Sequence, residues 1–233
     1  MDIHGLQKLT LLDYPGRTAC TVFLAGCNLR CPFCHNSELL DRQTMPPVME
    51  DGELLTFLKK RQGMLDGVCI TGGEPLLNPA LPELLRKIKA LGYPVKLDTN
   101  GCFSERLRGL VKEGLVDYVA MDIKNSPSRY AETCGLPDMD LSPVLGSIEL
   151  LKSGTVDYEF RTTVVDELHN ADSFYDIAKL IRGAKRYYLQ PFTDRDTVAF
   201  AGFHAPAAEQ LQKYADIVRP AVESVRIRGT ESQ

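Results

Sequence analysis

The 233-residue sequence has no tryptophan, only four histidines and no apolar run long enough to cross a bilayer. The N-terminus, "MDIHGLQKLT", lacks a cationic stretch followed by an apolar core. Neither a signal peptide nor a membrane span is therefore expected, and the expected location is the cytoplasm. Positive charge is not in excess: 27 Lys and Arg stand against 31 Asp and Glu, a net charge of -4. Such a surface does not favour a phosphate backbone, so no nucleic acid is expected as partner. No repeat and no Ser-, Gly- or Pro-rich linker divides the chain, so residues 1–233 read as a single domain. The seven cysteines are odd in number, which argues against a disulfide scaffold in a chain long enough to have its own core. A tight cysteine cluster then points to metal or catalysis.

What is present is an alternation of strands and helices. "TACTVFL" (18–24), "DGVCITGG" (66–73), "YPVKLDTNG" (93–101), "VDYVAMDIK" (116–124), "VDYEFRTTVV" (156–165) and "RYYLQPF" (186–192) read as buried strands. Between them, Asn78 and Pro79 open a helix, Ser104 starts one closed by Gly114, and Ser142–Pro143 start one that stops near Gly154. Residues 172–182 and about 207–218 complete the series, and "SVRIRG" (224–229) adds a further strand. Six βα units in this order imply right-handed crossovers and a parallel sheet. The fold class is α/β, and the chain is slightly short for a full eightfold barrel of about 250 residues. An incomplete (β/α)6 TIM-like barrel is expected, with an open doubly wound sheet as the other option. In both, function sits at the carboxyl ends of the strands. The polar and glycine-rich groups gather there: the cysteine loop, "TGGEP" (71–75), "DTNG" (98–101), "MDIK" (121–124), Arg161 and "LQPF" (189–192).

The most informative segment is "GCNLRCPFCHN" (26–36), in which Cys27, Cys31 and Cys34 are spaced C-x3-C-x2-C. Structural zinc wants four ligands, typically as two close pairs. Here there is one triplet and no second C-x2-C. His35 adjoins Cys34 and closes a tetrahedron poorly, and His4, His169 and His204 are isolated. A [4Fe–4S] cube takes one ligand per iron, so three thiolates leave one iron open for a substrate. S-adenosylmethionine can chelate such an iron through its amino and carboxylate groups.

C-x3-C-x2-C, Phe33 before the third cysteine and a downstream "GGEP" resemble the radical S-adenosylmethionine superfamily. The flanks "GLQKLTLLDYPGRTACTVFLAGCNLRCPFCHNSEL" (5–39), with "DTNG", "MDIK" and "RIRG", resemble the anaerobic ribonucleoside-triphosphate reductase activating proteins, relatives of the pyruvate formate-lyase activating enzymes. The resemblance implies a radical SAM core in which Cys27, Cys31 and Cys34 hold the cluster. It implies reductive cleavage of S-adenosylmethionine to methionine and a 5′-deoxyadenosyl radical, which takes a hydrogen from a glycine of the reductase. The electron donor would be of flavodoxin or ferredoxin type.

Gly72, Gly73, Glu74 and Pro75 match the family's GGEP, where backbone or Glu74 accepts from the cofactor's ammonium; a tight turn explains the same letters. Asp98, Thr99 and Asp122 match a group that holds a monovalent cation near the cofactor carboxylate. Asn100, Gln190 and Phe33 would be further cofactor contacts, and Lys124 and Arg161 would neutralise that carboxylate or anchor the partner's peptide. Phe192 would meet the cofactor or pack in the core. Asp13, in "DYPG", would lie beside the substrate peptide. Cys20 and Cys69 read as core residues; Cys102 and Cys134 carry no assigned role. Two alternatives stay open: the same chemistry on another glycyl-radical enzyme, peptide or small molecule, and a non-catalytic zinc or electron-transfer module.

Overall fold

The structure is a computed structural model that describes residues 1–41 and 45–229. The chain opens with β1 (Asp2–Ile3) and β2 (Gly5–Thr10), followed by β3 (Ala19–Leu24). After the cysteine loop come β4 (Met49–Glu50), α1 (Asp51–Lys60), β5 (Gly67–Gly72) and α2 (Leu81–Ala90). Then follow β6 (Val95–Thr99), α3 (Ser104–Lys112), β7 (Tyr118–Asp122), the short α4 (Tyr130–Thr133) and α5 (Ser142–Lys152). The last part contains β8 (Asp157–Val164), α6 (Ala171–Leu180), β9 (Arg186–Pro191), α7 (Ala208–Val218) and β10 (Ser224–Ile227).

Eight strands form one sheet in the order β10-β9-β8-β7-β6-β5-β3-β2. Every pair is parallel except β2 with β3, which is antiparallel. Among the described residues β2 and β10 do not pair, so the barrel is incomplete, as expected. The expected strands are all present, including the last.

Five elements were not anticipated: the two-residue strands β1 and β4, which pair with each other, and β2, α1 and α4. β2 has three exposed residues among its six and shows no alternation. Helix α1 carries only two buried side chains, Leu54 and Leu58, and has Gly52 in its first turn, so its apolar stripe is faint. Helix α4 is a single turn. One boundary also moves: α2 begins at Leu81 rather than Pro79, because residues 75–77 form a 3-10 turn. Asn78 still caps locally, its Oδ1 accepting from Ala80 N at 3.0 Å.

The strands alternate between two environments. Val22, Ile70, Leu97, Met121, Phe160 and Leu189 face the helices and are fully buried. The intervening Thr21, Phe23, Thr71, Asp98, Asp122, Arg161 and Gln190 line a cavity inside the barrel. Helices supply the outer layer, for example Leu81, Leu84, Leu85 and Ile88 of α2. No helix among the described residues is long and apolar enough to cross a membrane.

Candidate functional site

The cavity inside the barrel has a volume of about 540 Å³. The cysteine loop forms its wall beyond β3. Cys27, Cys31 and Cys34 all line it, as do Phe33, Gly72, Gly73, Asp98, Thr99, Asn100, Asp122, Lys124, Arg161, Gln190 and Asp13. Thus fourteen expected positions share one space, although they come from seven different strands and connections. The loop is held by its backbone. Gly26 N and Cys27 N donate to the carbonyls of Leu39 and Leu40 at 2.7 and 3.2 Å, and Cys34 N donates to Cys31 O at 3.1 Å. Leu29 N donates to Cys27 Sγ at 3.4 Å. Burial pushes the Cys27 thiol up to about 12 and also raises Cys34. Such thiols ionise when a metal brings positive charge to them.

The glycine pair has a steric reason. Gly72 has φ +125°, and a Cβ on it would lie 2.2 Å from Leu24 O. A Cβ on Gly73 would lie 2.3 Å from Gly26 O. The two glycines let β5 run against the base of the cysteine loop, where Gly73 N and Glu74 N donate to Leu24 O and Gly26 O, each at 2.8 Å. Glu74 and Pro75, expected to meet the cofactor, are instead buried and do not line the cavity. The Glu74 carboxylate accepts from Leu76 N (3.0 Å), Thr99 Oγ1 (2.9 Å) and Asn100 N (2.7 Å), tying the end of β5 to the end of β6. Burial pushes its pKa up to about 7 against the pull of those donors. Only the backbone of this motif is left to face the cavity.

A chain of five charges runs across the strand ends. Lys96 pairs with Asp98; Arg161 bridges Asp98 at 3.2 Å and Asp122 at 2.6 Å; Lys124 pairs with Asp122 at 2.8 Å. Burial alone would raise both carboxyls, but Arg161 with Lys96, and Arg161 with Lys124, hold Asp98 and Asp122 below the usual range. Burial likewise opposes the charge on Lys124, and Asp122 keeps it protonated. Three cations against two carboxylates leave one net positive charge at the rim, facing the cysteines. The oxygens expected to hold a monovalent cation are thus engaged by side-chain cations, and Thr99 is turned to Glu74.

On the far side, Phe33, Val165, Leu168 and Phe192 form a small apolar cluster with Cys31, Val198 and Phe203 packed on it. Phe192 is buried and stacks on His35, ring centroids 5.3 Å apart. His35 Nε2 meets Thr193 O at 2.7 Å, and Ser37 Oγ donates to Thr197 O. The segment after β9 therefore straps the cysteine loop and shields it from water.

The sequence pattern of the radical SAM superfamily matches residues 21–181. The chain belongs to that superfamily. A Methanocaldococcus jannaschii protein, named as an inferred glycyl-radical enzyme activating enzyme, is 33% identical over 97% of this chain and 95% of its own. The pyruvate formate-lyase-activating enzyme of Clostridium pasteurianum is 29% identical over 82% of this chain and 81% of its own. Streptococcus suis SuiB, solved bound to S-adenosylmethionine, shares the fold with a TM-score of 0.68 over 91% of this chain and 52% of its own, at 12% identity. The cofactors of a radical SAM chain are a [4Fe–4S] cluster and S-adenosylmethionine.

The residues present fit those cofactors. Three thiols, the soft donors that iron–sulfur clusters take, share one wall of the cavity, and a net positive rim faces them. Among the described residues no three His, Cys, Asp or Glu side chains are grouped as a single metal ion requires. A cube, with one thiolate on each of three irons, does not require that grouping.

Several site residues were not anticipated from the sequence. Lys96 has a side chain only 2% exposed and joins the charge chain through Asp98. The period-2 pattern of "VKLDT" puts both on one face, a usable signal. Asn28 Oδ1 accepts from Asn100 Nδ2 at 2.9 Å, and Asn36 Nδ2 donates to Gly72 O at 3.1 Å. Both fix the loop to neighbouring strand ends. Asp13 accepts from Thr21 Oγ1 at 2.5 Å, so its carboxylate is held at the cavity wall.

Proposed function

We propose that the chain, as one domain, is a radical SAM activating enzyme that generates a glycyl radical on an anaerobic ribonucleoside-triphosphate reductase. The observation that carries this reading is the meeting of Cys27, Cys31 and Cys34 with the Lys124–Asp122–Arg161–Asp98 chain around one cavity in an open barrel. Relatives named as activating enzymes, matched along most of their length, favour a glycyl-radical protein as substrate.

In this reading Cys27, Cys31 and Cys34 hold three irons of the cube. The bound cofactors supply one-electron cleavage of the sulfonium to a 5′-deoxyadenosyl radical. Lys124 and Arg161 receive the cofactor's carboxylate, oriented by Asp98 and Asp122; the backbone at Gly72–Gly73 accepts from its ammonium; Asn100 and Gln190 flank the rest. The positive charge expected of a monovalent cation at Asp98, Thr99 and Asp122 is supplied here by Lys96, Arg161 and Lys124. The Phe33–Phe192 cluster and the strap keep water away from the loop. The gap between β2 and β10 admits a peptide, with Asp13 on its wall. A flavodoxin or ferredoxin in the cytoplasm supplies the electron.

The test is anaerobic mixing of reduced protein, S-adenosylmethionine and the reductase, read by electron paramagnetic resonance. A glycyl doublet is expected. Cofactor cleavage without a doublet would reject the reductase as partner. The Clostridium relative favours a second reading, a pyruvate formate-lyase type partner, and the same assay with that enzyme decides between them.

A further inference from the structure

A second cavity, of about 730 Å³, opens at the end of the barrel opposite to the cysteine loop. Its lining comes from the amino ends of the last strands: Tyr118 begins β7, Asp157 begins β8, Arg186 begins β9 and Ser224 begins β10. The connection from β2 to β3 adds Tyr14 and Arg17. The volume lies within the range of small-molecule sites, about 300–1,000 Å³. Among the described residues none lines both cavities. Glu159, fully buried, stands between Asp157 of this cavity and Arg161 of the other along β8. Tyr118 Oη donates to its carboxylate at 2.9 Å and Arg228 pairs with it, so polar side chains occupy the barrel at that level.

Charge in this cavity runs against that of the chain. Arg17, Lys185, Arg186 and Arg226 line it, with Asp117, Asp157 and Glu223. Two of the acids are already answered. Both Asp117 oxygens accept from Lys89 Nζ at 2.7 Å, and Oδ2 also accepts from Val95 N at 2.7 Å. Asp157 pairs with Arg186. With Lys89, five cations stand against three carboxylates, a local excess of two in a chain of net charge -4. Two of the arginines are also held in place. The Arg17 guanidinium lies over the Tyr14 ring and that of Arg186 over the Tyr118 ring, each at 5.4 Å, and the two rings pack at 6.1 Å. Arg186 is fixed further by its Nε, which donates to Tyr158 O at 3.0 Å. Arg17 reaches Asp66 O at 3.4 Å, a long contact that leaves most of its five N–H donors for a ligand.

We propose that this cavity is a second binding site, separate from the cofactor site, for a small molecule carrying an oxyanion, a phosphate or a carboxylate. Arg17, Lys185 and Arg226 are the groups that meet the anion. A guanidinium fork matches two oxygens of one phosphate or carboxylate. Arg186 has a different part: its charge is spent on Asp157, which it screens from the ligand. Tyr14 and Tyr118 are buried and carry guanidiniums on their rings, so they hold the arginines rather than stack on a ligand. The recognised group is therefore the anion and not an aromatic ring. The site does not depend on which protein receives the radical.

The experiment is isothermal titration calorimetry of the oxidised, reconstituted protein saturated with S-adenosylmethionine, so that the cationic rim of the other cavity is filled. Inorganic phosphate and succinate are the titrants, at low ionic strength, where exposed charges are least screened. Saturable binding is expected. Phosphate binding alone assigns a phosphate, succinate binding alone a carboxylate, and binding of both a site that reads charge. Affinity should fall about tenfold in R17Q and in K185Q, each of which loses one charge-assisted hydrogen bond. S-adenosylmethionine affinity should stay at the wild-type value in both. Lys185 is exposed, so K185Q carries the test if R17Q does not fold. Binding undiminished in the folded variants would overturn the site. So would the absence of binding by either anion at millimolar concentration.

Discussion

Replacing Glu74 by Gln tests whether the GGEP carboxylate serves the protein or the cofactor. Its two oxygens accept three donors, Leu76 N, Thr99 Oγ1 and Asn100 N, at 3.0, 2.9 and 2.7 Å. Glutamine has the same shape but only one acceptor oxygen. Whichever way it turns, its NH2 meets a backbone N–H. Thr99 cannot relieve this freely, because its hydroxyl also accepts from Gly101 N at 3.1 Å. A buried donor left without an acceptor costs about 1–3 kcal/mol. For a chain of this size, a loss of about 2 kcal/mol lowers Tm by about 4–8 °C. The assay is anaerobic thermal unfolding by circular dichroism at about pH 8, where the folded carboxyl, raised by burial to about 7, is ionised; the burial cost of that charge, which Gln does not carry, offsets part of the loss. S-adenosylmethionine affinity is measured on the same samples. The expected result is a lower Tm for E74Q. An unchanged Tm with cofactor binding weakened tenfold or more would refute the reasoning, since the carboxylate would then act on the cofactor directly.

Two other perturbations follow from the same geometry. Gly73→Ala would place a Cβ 2.3 Å from Gly26 O and push the cysteine loop outward, so iron bound per chain should fall; Gly109→Ala, in open space on α3, should leave it unchanged, with both read by iron analysis after reconstitution. Asp98 and Asp122 are held below their ordinary 3.8 in the folded chain, so the stability they contribute is fully present above that value and is lost progressively as pH falls below it, through the lowered values of the folded chain. Denaturant unfolding of wild type and D122N should therefore differ by a constant amount from about pH 5 to 8 and begin to converge only below about pH 4; convergence at neutral pH would contradict the charge chain.

Much of this site could be read from residue order because its chemistry is local. Cys27, Cys31 and Cys34 lie within one loop, and a parallel α/β sheet carries its strand ends to one rim whatever its exact curvature. Thus Asp98, Asp122, Arg161 and Gln190 could be brought together from strand ends alone. What sequence order did not reveal is long-range. The ligand role expected of Glu74 gave way to a staple because two of its three donors, Thr99 Oγ1 and Asn100 N, come from the end of β6. Arg30 N reaches Cys134 O because Gly135 lets α4 close on the cysteine loop. His35 meets Thr193 across 158 positions. Helix α1 and strand β2 escaped notice because each buries too few side chains to leave a periodic trace.

The central claim is that three thiols hold a cluster with one iron open to S-adenosylmethionine. Its most direct measurement is the electron paramagnetic resonance spectrum of the reduced, reconstituted protein before and after S-adenosylmethionine is added. The account predicts a changed cluster signal, followed by release of methionine and 5′-deoxyadenosine, with both lost in C27A, C31A and C34A. A cluster signal indifferent to the cofactor in the wild-type protein would contradict it.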